Sequence, residues 1–133
     1  MLPVFTSIGL FVLPDWQSIA ISGMILLIIR VFRTRTFTRW MAKVGLTDEA
    51  LCEAVAEMSQ GLINVDLGGH VVKKWVALPG QGKRGGARTI VATKLAERWF
   101  FLYGFGKNER ANINQDELKV FREMAKELLS FDD

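Results

Sequence analysis

The stretch Arg98-Trp99-Phe100-Phe101-Leu102-Tyr103-Gly104-Phe105 decides the fold. From Trp99 to Phe105 no charged residue intervenes. So continuous an apolar run reads as a strand covered on both faces, and therefore as a central strand. Working outward, Arg88 to Lys94 reads as the preceding strand, joined to it by a short turn near Leu95 to Glu97. Before that, Pro79 to Gly86 holds four glycines in eight residues and is read as a loop. Gly68-Gly69 introduces another strand, from about Val71 to Leu78.

Helices flank these strands. Phe37, Trp40, Met41 and Val44 fall at i, i+3, i+4 and i+7, a helical stripe with Thr34 or Thr36 as its cap and Gly45 as its stop. Thr47 caps a second helix, with Asp48 and Glu49 in its first turn and Leu51, Val55, Met58 and Leu62 as its expected buried stripe, ending at Gly61. The two form an α-hairpin. Asn114, with Glu117 three residues on, makes a capping box for a final helix whose apolar positions are Leu118, Phe121, Ala125, Leu128 and Leu129. An alternating Arg-Val-Phe-Arg segment after an Ile/Leu run adds a first strand, roughly 26 to 34. The expected fold is α+β: a small, mainly antiparallel sheet packed on an N-terminal α-hairpin, with a C-terminal helix, in the order β-α-α-β-β-β-α.

A length of 133 residues, half of them apolar, fits one folded domain with a modest core. Residues 1 to 29 stand apart, with two prolines and Asp15 as the single charge. Pro14, Asp15 and Gln17 interrupt their apolar character, so the clean run falls short of the ~20 residues a membrane span needs. No basic residue precedes Arg30, which argues against a secretory signal. The segment reads either as a weak membrane-associating helix or as an upstream stretch outside the folded domain, with Met24 a candidate start. The second is favoured, with the domain itself in residues 30 to 133; no stable membrane insertion is expected.

Charge is unevenly spread. Residues 30 to 43 carry five basic side chains and no acidic one, 44 to 69 carry five acidic and no basic, and 70 to 110 carry nine basic against two acidic. A basic middle between acidic helices suits a polyanion, although a solvated face with chance clustering would look the same. Cys52 is the one cysteine and His70 the one histidine, so no convincing zinc site or internal disulfide can be assembled, and no Ser-His-Asp or Cys-His arrangement is visible; no cofactor is expected, and a reducing cytoplasm fits. The glycine loop lacks Walker spacing, and a strand rather than a helix follows it. It is better read as carrying Lys83 and Arg84 towards phosphate. Glu97 and Glu109 are the only acids between 70 and 110, which disfavours a two-carboxylate hydrolase. What remains is a basic set on neighbouring strands, Lys73, Lys74, Arg88, Arg98 and Lys107, with Tyr103 among them. Adjacent strand residues face opposite ways, so Lys73 and Lys74 cannot share one site. Such a set either discourages edge-to-edge aggregation or performs phosphoryl-transfer chemistry without metal. His70, after two glycines, reads as an exposed loop residue or as a general base.

Two longer runs sharpen this. One is Val72-Lys73-Lys74-Trp75-Val76-Ala77-Leu78-Pro79-Gly80-Gln81-Gly82-Lys83-Arg84-Gly85-Gly86-Ala87-Arg88-Thr89; the other runs from Phe100 through Tyr103-Gly104-Phe105-Gly106-Lys107-Asn108-Glu109-Arg110 to Ile113. Together they resemble the RelE/HigB-type toxins of bacterial type II toxin–antitoxin systems, over about residues 30 to 133. The resemblance implies a RelE-like fold and ribosome-dependent cleavage of messenger RNA by metal-independent 2′-hydroxyl attack, inhibiting translation. It implies as partners a cognate helix-turn-helix antitoxin, the ribosome and mRNA. By the same resemblance, Arg88 and Arg98 are expected on the phosphate, Lys74 as proton carrier and Tyr103 in stacking or proton transfer. Lys73, Lys83, Arg84 and Lys107 are expected to hold substrate. Ala87 stands where relatives commonly have an aromatic residue, which would weaken or redirect the site if that ring stacks on a base. The competing expectations are a ParE-like gyrase inhibitor in the same fold and a non-catalytic RNA- or ribosome-binding module.

Overall fold

A computed structural model describes residues 5–9, 30–80, 86–94 and 98–130. The strands are β1 (Phe5–Gly9), β2 (Arg30–Thr34), β3 (Val65–Gly68), β4 (Val71–Val76), β5 (Ala87–Lys94) and β6 (Arg98–Gly106); the helices are α1 (Arg35–Val44), α2 (Asp48–Ser59) and α3 (Gln115–Leu129). They form one sheet in the order β1-β2-β6-β5-β4-β3. Only β2 and β6 run parallel. The α+β architecture with a mainly antiparallel sheet is as expected, and β6 lies inside the sheet between β2 and β5.

Two strands were not anticipated. β3 is only four residues long and lies on the edge beyond β4, too short for alternation to declare it. β1 pairs antiparallel with β2 at the other edge. Leu62 also departs from expectation: α2 ends at Ser59 with Gln60 as its cap, and Leu62, beyond that end, is 57% exposed rather than buried. The start of the expected first strand before Arg30, the turn near Leu95 to Glu97 and the loop centre at 81–85 lie outside the described residues.

Period-two alternation splits the core into two layers. Val31, Val72, Val76, Val91, Trp99 and Phe101 meet the α-hairpin through Phe37, Met41, Leu51 and Val55. Phe32, Val71, Ile90, Ala92, Phe100 and Phe105 meet α3 through Leu118, Phe121, Ala125 and Leu128. The helices start as their caps dictate. Thr34 Oγ1 accepts from Phe37 N–H (3.1 Å), Thr47 from Ala50 N–H (3.2 Å), and Asn114 with Glu117 completes a capping box. Gly45, at φ +78°, supplies the left-handed turn that stops α1.

One irregularity positions the site. Ile90 pairs with Tyr103 but Val91 with Phe101, so β6 carries an extra residue at Leu102. This bulge puts both Leu102 and Tyr103 against the α3 layer, whereas strict alternation would have turned Tyr103 toward the hairpin. The Leu102 carbonyl accepts a hydrogen bond from the Thr34 hydroxyl (3.0 Å), tying the bulge to the start of α1. Among the described residues no helix is long and apolar enough to cross a membrane.

Candidate active site

On the α3 side of the sheet, strand register sets side chains in rows. Lys73, Ile90 and Tyr103 form one row across β4, β5 and β6; Trp75, Arg88 and Phe105 form the next, toward the Gly106 end of β6. Arg88 is largely buried, its guanidinium carbon 4.2 Å from the centre of the Trp75 ring. A guanidinium over an aromatic ring is held there by cation–π attraction. Lys73 Nζ donates to Asn112 Oδ1 (3.2 Å), and the Tyr103 ring packs between Phe105 and Phe121, at centroid distances of 6.0 and 5.5 Å.

The segment joining β6 to α3 locks this face in place. Arg110 Nη1 donates to Tyr103 Oη (3.3 Å) and to Glu117 Oε2 (2.7 Å), and its Nη2 donates to Glu117 Oε1. Those bonds hold the Arg110 guanidinium charged well beyond its ordinary range, Glu117 contributing most and Tyr103 next. Glu117's carboxyl is correspondingly pushed below the usual carboxylate range, first by Arg110 and then by the Asn114 backbone N–H. Behind the face, Glu109 Oε1 accepts from Gly106 N–H (2.7 Å) and from Trp40 Nε1 (3.3 Å). Gly104 lies under that indole: a Cβ there would sit 2.4 Å from two Trp40 ring carbons. The run Tyr103 to Asn112 is thus largely scaffold.

The expected site residues do not all converge. Lys73, Arg88 and Tyr103 share the α3-side face. Lys74 does not: it points to the hairpin layer, 4% exposed, with its Nζ 2.7 Å from Glu57 Oε1 and donating to the Leu62 carbonyl (2.8 Å). The lysine geometrically available to the site is therefore Lys73. Arg98 is also elsewhere. It pairs with Lys94 at the opposite end of β5 from Arg88, about 20 Å away at ~3.4 Å per residue. There its Nη2 donates to the Leu129 carbonyl near the C-terminus of α3 (3.1 Å). Lys107 is exposed in the turn after β6, its backbone N–H reaching the Gly86 carbonyl (3.4 Å), so it borders the glycine loop. Lys83 and Arg84 lie outside the described residues. Ala87 is fully buried and alternates away from Arg88, so its small side chain leaves the α3-side face unchanged. Trp75 supplies aromatic surface there instead.

Sequence reading missed Trp75, Arg110 and Asn112. Trp75 was accessible by counting two residues from Lys73; Arg110 was hidden because Glu117 was already explained as a helix cap. Among the described residues, no group of three or more His, Cys, Asp or Glu is placed to hold a metal ion.

Comparison with known proteins places this geometry in a family. No curated protein matches the chain. The family model for the RelE toxin of the RelE/RelB toxin–antitoxin system matches residues 29–133, a span that includes β2 to β6 and all three helices. The chain belongs to the RelE toxin family.

Proposed function

We propose that this toxin is a ribosome-dependent endoribonuclease that cuts messenger RNA through attack of a 2′-hydroxyl on the adjacent phosphate, with residues 30–133 as its nuclease domain. The observation that carries the reading is the shared placement of Lys73, Arg88 and Tyr103 on one sheet face, with the Arg88 guanidinium carbon over the Trp75 ring. Strand-to-strand spacing of about 4.8 Å puts the backbones of Lys73 and Tyr103 roughly 10 Å apart across Ile90. Both residues are half-buried, on either side of the buried Ile90 and one row from Arg88.

In this arrangement Arg88 binds the non-bridging oxygens and stabilises the charge that grows on the phosphorane. Lys73 and Tyr103 handle the protons: one is taken from the 2′-oxygen and one delivered to the departing 5′-oxygen, leaving a 2′,3′-cyclic phosphate. The Arg110 hydrogen bond fixes the direction of the Tyr103 hydroxyl. Trp75, half-buried, offers ring surface to an unstacked base, as single-stranded substrates require. The antitoxin partner is read as a helix-turn-helix protein, and the place of action as the cytoplasm.

The test adds the full chain to a bacterial cell-free translation reaction and maps mRNA ends by primer extension. Codon-phased cuts are expected, absent without ribosomes and reduced roughly 10²–10³-fold by Arg88→Ala, as for loss of one transition-state donor. Intact messages with translation unimpaired would overturn the nuclease reading and turn attention to gyrase.

A further inference from the structure

Away from the candidate active site, the C-terminal part of α3 and the β4 and β5 ends beside it enclose a groove of about 570 Å³. Its cationic lining is Lys94, Lys119, Arg122 and Lys126, with His70 beside them and Glu123 as the single acid. Lys119, Arg122 and Lys126 recur at i, i+3 and i+7 on one helix face, so they rise 4.5 and then 6 Å along the axis, at about 1.5 Å per residue. Arg122 builds the wall: its guanidinium bonds the Leu67 carbonyl and its stem crosses Gly69, where a Cβ would lie 3.0 Å from Arg122 Cγ. His70 holds φ +66°, in a left-handed region that favours glycine, so a ring is kept where the two preceding residues are glycines. Lys94, Lys119 and Lys126 form no ion pair among the described residues.

We propose that this groove docks the sugar-phosphate backbone of folded, A-form RNA, separately from the strand that is cut. The lining carries a row of cations, with Leu129 as its one large apolar side chain and no Phe, Tyr or Trp. A protein partner would need an apolar or aromatic centre to anchor it, and an unpaired base would need a ring to stack on. A phosphate backbone needs neither. The active-site face has the opposite character, with Trp75, Tyr103 and Phe105 beside its cations. The division is chemical: rings and cations where single-stranded message is read, cations alone where structured RNA is gripped. The inference rests on the ribosome-bound nuclease reading only in identifying that RNA as ribosomal.

The experiment measures binding of the full chain to a blunt RNA duplex of about two helical turns by fluorescence anisotropy across a salt series. Lys119→Glu/Lys126→Glu is expected to weaken binding by roughly tenfold or more and to lower the log–log salt slope by about 2, one per lost phosphate contact. Lys119→Gln/Lys126→Gln, gentler on the end of the helix, is expected to show the same slope change. Lys43→Gln, which removes an exposed cation from α1 on the hairpin side, is expected to bind the duplex as tightly as wild type. Unchanged affinity and slope in both groove variants would overturn the proposal. So would displacement by polyglutamate as effective as by RNA, which would make the groove a general polyanion surface. Duplex binding lost in the groove variants of a protein that cuts no message would leave the groove standing and the nuclease reading refuted; cutting with groove variants that bind normally would do the reverse.

Discussion

Gly104→Ala is the substitution whose cost follows most directly from the structure. The new methyl carbon would stand 2.4 Å from Trp40 Cε3 and Cζ3 and 2.9 Å from Cη2, where carbon–carbon contacts are normally about 3.5–4.0 Å. The indole must therefore move by more than an ångström. It cannot do so freely, because it packs on Phe37 at a centroid distance of 5.4 Å and donates to Glu109. Overpacking of this kind costs roughly 1–3 kcal/mol, and the lost hydrogen bond adds about 1 kcal/mol. A total near 3 kcal/mol lowers Tm by about 10 °C in a domain of this size. Thermal denaturation followed by circular dichroism measures it. The decisive comparison repeats Gly104→Ala in a Trp40→Ala background. If the indole is the obstacle, the alanine there costs less than about 1 kcal/mol, a coupling of roughly 2 kcal/mol. Equal costs in the two backgrounds would refute the reasoning.

Three further outcomes are expected. Lys74→Met should lower stability by roughly 2–3 kcal/mol, less than a fully buried pair would lose because Glu57 stays 22% exposed, while Lys73→Met should lower the cleavage rate with little change in Tm. Melting curves and primer extension on both variants separate the two effects. Because Glu117's pKa is lowered by folding, its contribution is present above the ordinary carboxylate range and lost as pH falls through the folded value. The Tm gap between wild type and Glu117→Gln should therefore be widest near neutrality and close on acidification below about pH 4.5; a gap unchanged down to pH 3 would contradict this. Thr34→Val should cost about 2 kcal/mol in chemical denaturation, since it removes both the cap of α1 and the hydroxyl that satisfies the Leu102 carbonyl.

Local signals were enough for most elements. The caps at Thr34, Thr47 and Asn114, the stop at Gly45 and the uncharged run after Arg98 each have a short-range physical cause, and each is where it was expected. The site was less legible because it depends on register between strands. Lys73 and Lys74 are indistinguishable by type; only the pairing of β4 with β5 decides which one shares a face with Arg88. Arg98 looked equivalent to Arg88 on a neighbouring strand, but antiparallel pairing sends the two to opposite ends of the sheet. The bulge at Leu102 has no marker in the sequence, and it decides where Tyr103 points. Arg110 was concealed by a long-range role, bonding a tyrosine seven residues before it and a glutamate seven after it.

The most direct test of the nuclease account uses ribosomes programmed with one short mRNA, intact or bearing a single 2′-deoxy substitution at the nucleotide preceding the cut. Wild-type toxin is predicted to cleave the intact message, leaving a 2′,3′-cyclic phosphate, and to spare the substituted one at that position. Cleavage of the 2′-deoxy message at the same bond and a comparable rate would contradict attack by the 2′-hydroxyl and the roles given to Lys73, Arg88 and Tyr103.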